Sequence, residues 1–240
     1  MKARLKPGLA VRLAAVVIAG LAILLTGETD AARYTYESTI VPENSITKLD
    51  QPTYVFLTEY GKELQNFSNA YGVDWRLALA VLRQESAFDP AAISNKGAEG
   101  FMQLMPVTGY YLASLYNISD ISNPTDNIKL GVIHLHDLLE DFPDTNPTNR
   151  IRLAVAAYNC GLTRVQDAET VARFLGDSPN RWASIKSALP LLSSRYSPLH
   201  AHIWSAGRPT GGYFGGYHET ISYVENVMHY YNIYRNVLQK

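Results

Sequence analysis

Tyr71-Gly72-Val73-Asp74-Trp75-Arg76-Leu77-Ala78-Leu79-Ala80-Val81-Leu82-Arg83-Gln84-Glu85-Ser86 reads as a short helix that ends on a carboxylate and a hydroxyl. Asp74 stands where an N-cap belongs, and Asp89-Pro90 stops the helix soon after Ser86. Steps of three, four and seven back from Glu85 reach Leu82, Val81 and Ala78, so the carboxylate shares the apolar stripe. Arg76 and Arg83, seven apart, mark a different face. Glu85 lies in the last turn, where the backbone dipole is negative. Dipole and partial burial both disfavour the ionised form, so its pKa is expected to rise. An acid that keeps its proton near neutral pH can donate it to a leaving oxygen. The helix alone leaves two readings open: an acid in a cleft, or a helix-end Glu that turns to water or pairs with Arg83.

A glycine-punctuated apolar segment follows, Gly97-Ala98-Glu99-Gly100-Phe101-Met102-Gln103-Leu104-Met105-Pro106. It is expected to form a loop beside Glu85 with room for an extended ligand, its glycines allowing close turns. General acid–base work on a glycosidic bond starts from a carboxyl group so placed.

Beyond these segments the periodicity is helical. Expected helices cover 53–70, 107–116, 127–139 after an Asn123-Pro124-Thr125-Asp126 turn, 150–158 capped by Asn149, and 218–238. Gly161 suits a helix C-terminus. Short helices broken at Pro179 and Pro190 fill 163–192, and residues 196–217 are rich in Gly, His, Pro and aromatics. The fold class is mainly α, a single helical domain with at most a small hairpin near 94–104.

The chain has 240 residues, 47% hydrophobic and 18% charged, with net charge -1. That suits one globular domain plus a leader, and it gives no support for nucleic acid as a partner. Sixteen Tyr and three Trp offer faces suited to sugar rings, although tyrosines also fill cores and rims. The lone Cys160 allows neither an intrachain disulfide nor a multi-cysteine metal set. Positions two apart on a helix point away from each other, so His134/His136 is read as structural or exposed; His200/His202 is read as lying in a loop, and neither a metal nor a cofactor is expected. Lys2, Arg4, Lys6 and Arg12 precede an unbroken apolar run over 13–25, the pattern of an export signal. We expect a signal peptide or N-terminal anchor over 1–31, a linker over 32–52 and one catalytic domain over 53–240. The destination is the periplasm or cell envelope, with inner-membrane association if the leader is retained.

Several separated segments share one pattern. Gln84-Glu85-Ser86-Ala87-Phe88-Asp89-Pro90, then 97–108, then Ala156-Ala157-Tyr158-Asn159-Cys160-Gly161 resemble the three signature motifs of lytic transglycosylases of the soluble (family 1) type. Asn123 to Gly131 resembles the family's intervening helix start, and 218–226 its fourth motif. Leu189-Pro190-Leu191-Leu192 is similar to the membrane-bound transglycosylase F branch, whose catalytic module alone is matched. The resemblance spans 54–238 and implies a lysozyme-like α+β superfamily fold.

It also implies non-hydrolytic cleavage of the β-1,4 bond between N-acetylmuramic acid and N-acetylglucosamine in peptidoglycan. Glu85 would be the single catalytic acid and then base, with no cofactor. Ser86, Met102, Gln103, Tyr158, Asn159 and Tyr223 would bind substrate or hold Glu85, and Glu219 would take a positioning role. Met102, Leu104 and Met105 are equally readable as core, Asn159 as a helix end, and Glu219 as a first-turn Glu favoured by the helix dipole. A goose-type lysozyme, which uses water, and a non-catalytic glycan-binding envelope protein are the competing readings.

Overall fold

The structure, a computed structural model, describes residues 48–238. The expected leader and most of the expected linker lie outside them. Nine α-helices follow one another: α1 (Gln51–Tyr71), α2 (Trp75–Ser86), α3 (Pro106–Tyr116), α4 (Pro124–Glu140), α5 (Pro147–Cys160), α6 (Leu162–Phe174), α7 (Trp182–Ala188), α8 (Ser197–Ile203) and α9 (Tyr217–Val237). Two short 3-10 turns, Leu189–Leu192 and Ser194–Tyr196, separate α7 from α8. The mainly α class is therefore the observed one. The small hairpin reduces to two isolated bridges, Ile93 to Glu99 and Glu99 to Leu104, because the glycine segment turns too tightly for a ladder.

α2 is the central element. Asp74 caps it by accepting from the Arg76 amide, and every residue from Trp75 to Leu82 is buried. The stripe read from the sequence is thus too narrow, since α9 packs on α2 from one side and α1 from another. Arg76, on the face away from the apolar stripe, is buried too. It is 6% exposed, and its guanidinium is held by Asp74 at 2.6 and 2.8 Å, with the Leu238 carbonyl at 3.4 Å. A buried cation keeps its charge only with such partners. Arg83 pairs with Asp50 at 2.6 Å, ahead of α1, so it does not take Glu85.

Two expected helix starts move. α4 begins at Pro124 rather than 127, with Asn123 accepting from the Thr125 and Asp126 amides, both at 3.1 Å. α5 begins at Pro147, and its cap is Asn146, which accepts from the Asn149 amide at 3.0 Å. Asn149 instead accepts from the Trp182 amide, tying α5 to α7. Both prolines sit in a first turn, where their missing N–H removes no bond and their fixed φ suits the helix. Reading them as breaks displaced the starts. α1 likewise opens at Gln51 with Pro52 in its first turn, inside the expected linker.

α9 is the long C-terminal helix that closes the core. Its buried face runs through Thr220, Tyr223, Val224, Val227, Met228, Tyr231 and Tyr234, with Ile221 only partly covered. It lies against both α2 and α5. That contact brings the last turn of α2, the last turns of α5 and the first turns of α9 to one place. Among the described residues no helix is long and apolar enough to cross a membrane.

Candidate active site

The end of α2 is fixed by backbone and aromatic packing. Ala87 and Phe88 both take positive φ, 51° and 69°, so the chain reverses directly after Ser86. The Ser86 hydroxyl donates to the Phe101 carbonyl at 2.9 Å and accepts from the Phe88 amide at 3.2 Å. It therefore clamps the helix end to the glycine segment. Phe56 on α1 stacks on Phe88 at 4.7 Å and meets the edge of Phe101 at 5.2 Å, which locks both sides of the clamp.

The glycine segment is held from beneath by Asn127 of α4, which is fully buried. Its amide oxygen accepts from the Met102 N–H at 2.8 Å, and its nitrogen donates to the carbonyls of Glu99 (3.1 Å) and Ile121 (3.0 Å). Gly100, at φ 75°, leaves the space this side chain occupies: a Cβ there would come within 2.6 Å of it. Met102 is 0% exposed and packs against Gly131 of α4, where a Cβ would meet it at 2.3 Å. Its thioether thus faces the core rather than a sugar, which corrects the ligand-facing expectation for this residue. Its carbonyl turns the other way and accepts from the Tyr158 hydroxyl at 2.9 Å.

Gln103 sits at φ 45°, and its side-chain nitrogen donates to the carbonyls of Ala92 and Gly100, both at 2.9 Å. Ser86 and Gln103 hence spend these donors on the loop, so any contact they make with a ligand uses their remaining acceptor capacity.

Above this floor stands Glu85, half-buried. Its Oε1 accepts from the Tyr223 hydroxyl of α9 at 2.5 Å, the hydrogen bond anticipated from the motif order. Tyr223 is 5% exposed. Burial raises the Glu85 pKa to about 7; the Tyr223 bond pulls against this, and the negative charge of Glu219 adds to the rise. The shift has the expected sign, with burial and a neighbouring carboxylate as its causes. Tyr158 and Tyr223 are themselves pushed well above an ordinary phenol, first by burial and then by the Glu85 charge, so both remain protonated donors.

α5 supplies the opposite wall. Tyr158 packs beside His134 of α4 at 5.1 Å, and burial lowers that imidazole to about 4, so it is neutral at ordinary pH. Asn159 accepts from the Thr220 hydroxyl of α9 at 2.7 Å. Gly161 follows at φ 89° and lets α6 begin immediately. Glu219, exposed in the first turn of α9, is the second carboxylate in electrostatic range of Glu85. The site is therefore an acid on a helix end whose pKa burial lifts to about 7, with the protonated phenols of Tyr223 and Tyr158 within its electrostatic reach.

Residues 64–181 match the family model described as the Transglycosylase SLT domain. This stretch is a transglycosylase SLT domain. Within the chain the match takes in α2, the glycine segment and the Tyr158–Asn159 turn, and it ends before α9. The chain is 36% identical over 189 residues to a membrane-bound lytic murein transglycosylase F of Desulfosudis oleivorans, covering 78% of this chain and 39% of that protein. With the protein of the same description from Haemophilus influenzae it shares 34% over 202 residues, 79% of this chain and 39% of the relative. It thus spans about two fifths of the length of these curated relatives.

Among solved structures, the 70 kDa soluble lytic transglycosylase of Escherichia coli superposes with a TM-score of 0.52 at 25% identity, over 74% of this chain and 24% of that one. The lytic transglycosylase Slt of Pseudomonas aeruginosa, solved as an inactive Glu-to-Gln mutant, gives 0.51 at 26%, over 75% and 25%.

Two contributors escaped the sequence reading. Asn127 was seen only as part of a helix start, and Thr220 only as a motif letter; both are buried polar side chains whose partners lie far away in the sequence. Of the His-x-His pairs, His136 packs near Tyr71 at 6.0 Å and buried His200 bonds the Leu191 carbonyl through Nε2 at 2.7 Å, while His202 is exposed. Among the described residues no group of His, Cys, Asp and Glu is arranged to hold a metal.

Proposed function

We propose that this chain is a peptidoglycan lytic transglycosylase that cleaves the β-1,4 bond between N-acetylmuramic acid and N-acetylglucosamine without water. The observation that carries the reading is the state of Glu85: a carboxyl with pKa about 7, bonded at one oxygen by Tyr223. Protonated, it gives its proton to the leaving glycosidic oxygen as the bond to C1 breaks. The acetamido oxygen of the same muramoyl sugar stabilises C1, so the substrate supplies the group that a second enzyme carboxylate provides in the two-carboxylate scheme. Glu85, now ionised and steadied by Tyr223, takes the proton from the C6 hydroxyl as O6 closes on C1. The product is a 1,6-anhydromuramoyl end. Because the nucleophile belongs to the substrate, proximity lowers the barrier and no positioned water is required.

Asn159 is the donor suited to the acetamido group, Tyr158 beside it holds the Met102 carbonyl, and Ser86 and Gln103 shape the loop along which the glycan lies. The inactive Glu-to-Gln relative supports a single indispensable glutamate. The basic residues and apolar run of the first 25 residues support export to the envelope, and the membrane-bound relatives support membrane association.

One observation favours a second reading. Glu219 is near enough to raise the Glu85 pKa, so it stands as a potential base for water in a goose-type hydrolysis. Mass spectrometry of digested peptidoglycan separates the two. The first reading yields anhydro-muropeptides, and their absence beside reducing ends would establish the second. Glu85→Gln, nearly isosteric, should lower turnover roughly 10²–10⁴-fold, the range of a lost general acid–base group. Near-normal turnover would remove Glu85 from the chemistry.

A further inference from the structure

We propose that Thr220 is a positioning residue that fixes Asn159 as a hydrogen-bond donor toward the cleft; its consequence for turnover rests on the proposed function. Thr220 is 1% exposed and lies in the first turn of α9, three residues before Tyr223. That spacing puts both hydroxyls on one helix face. Tyr223 donates to Glu85 on α2, and Thr220 donates to Asn159 on α5 at 2.7 Å. A single turn of α9 therefore sets two groups that come from different helices. Neither residue lies within the segment matched by the family model, which ends at residue 181.

The chemical consequence follows from the amide. An Asn side chain has an oxygen face that accepts and a nitrogen face that donates, and a rotation of half a turn exchanges them. With its oxygen turned to the Thr220 hydroxyl, Asn159 directs its N–H groups the other way. The acceptors that such a donor recognises on an N-acetylated sugar are the acetamido carbonyl and the ring hydroxyl oxygens. Asn159 stands beside Tyr158, whose hydroxyl is committed to the Met102 carbonyl, so the Asn159 amide is the free donor on this wall. Burial of Thr220 keeps water from competing for the bond. Gly161 follows immediately at φ 89°, and the Cys160 carbonyl accepts from Arg164 at 2.7 Å, which holds the backbone beneath Asn159. Only the side-chain rotation is left for Thr220 to set.

Two measurements on the full chain test this, using Thr220→Val, which keeps shape and removes the donor, and Thr220→Ser, which restores it. The first reads Asn159 directly. Its side-chain NH₂ pair is identified in a ¹⁵N spectrum as the pair missing in Asn159→Ala. Thr220→Val should move that pair with the backbone pattern preserved, and Thr220→Ser should return it; an unmoved pair overturns the proposal, whatever the activity. The second reads turnover of peptidoglycan strands. Thr220→Val should lower kcat/KM roughly tenfold, as expected for one hydrogen bond, and Thr220→Ser should recover most of it. Combined with Asn159→Ala, Thr220→Val should add nothing further. Additive losses would place Thr220 outside Asn159's action and overturn the proposal. A wild type that releases no anhydro-muropeptides would instead sink the functional reading, leaving the NMR result to decide the positioning.

Discussion

Glu85 answers to three neighbours of different kinds, and each predicts a signed change. Burial raises its pKa, Tyr223 lowers it by bonding the ionised form, and Glu219 raises it through space. Tyr223→Phe removes the stabilising bond, so the pKa climbs above about 7 and the alkaline limb of the rate profile should move to higher pH. Glu219→Gln removes a negative neighbour, so the same limb should move to lower pH. Opposite displacements identify the limb with Glu85; two in the same direction would assign it to another group. Stability carries the same signature. The folded pKa of about 7 exceeds the ordinary 4.5, so the folded state holds more protons between those values. Stability is fully present below pH 4.5 and falls as pH rises through about 7. Glu85→Gln should consequently raise the unfolding free energy at pH 8 by about 2 kcal/mol, with allowance for partial solvent access, and leave it nearly unchanged at pH 4. Calorimetry at the two pH values checks this, and an equal gain at both would refute the linkage.

Among the elements, α2, the glycine segment and α9 differ in how far the sequence discloses them. The cap at Asp74 and the stop after Ser86 were readable because both are local side-chain effects. The acid's raised pKa was readable in sign from the dipole and from partial burial along the apolar stripe, while the packing of α9 and the neighbouring Glu219 charge needed the structure. The starts of α4 and α5 were misplaced because a proline reads as a break when its cap is one residue earlier. Met102 illustrates a further limit, since a loop methionine beside an acid gives no sign of which side it faces until Gly131 is opposite it. Residues 196–217 were legible only as a stretch rich in Gly, His, Pro and aromatics. Buried Asp167 of α6 resolves their attachment by accepting from the Thr210 amide (3.0 Å) and the Gly211 amide (2.7 Å). Phe214 adds a backbone bond to Leu192 at 3.0 Å and lies under Arg164 at 5.1 Å. Asp167→Ala leaves both amides without their acceptor, so it should cost about 2 kcal/mol and speed limited proteolysis within 204–216. Unchanged cleavage there would show that the aromatic contacts suffice.

Across residues 48–238 the helices act as a frame around a site to which three distant segments contribute. Glu85 stands at the end of α2, Tyr158 and Asn159 at the end of α5, and Thr220 and Tyr223 at the start of α9, with the glycine segment as floor. No pair among these elements is joined by a short connection, so the geometry depends on the core as a whole. Motif order made this convergence expectable; only the packing of α9 against α2 and α5 accounts for it. The central claim is that the second step at C1 uses the sugar's own C6 hydroxyl rather than water. Digestion of purified peptidoglycan in H₂¹⁸O, followed by mass spectrometry of the released ends, tests it most directly. The account predicts 1,6-anhydro ends that carry no ¹⁸O and that disappear with Glu85→Gln; reducing ends bearing one ¹⁸O per cleavage would contradict it.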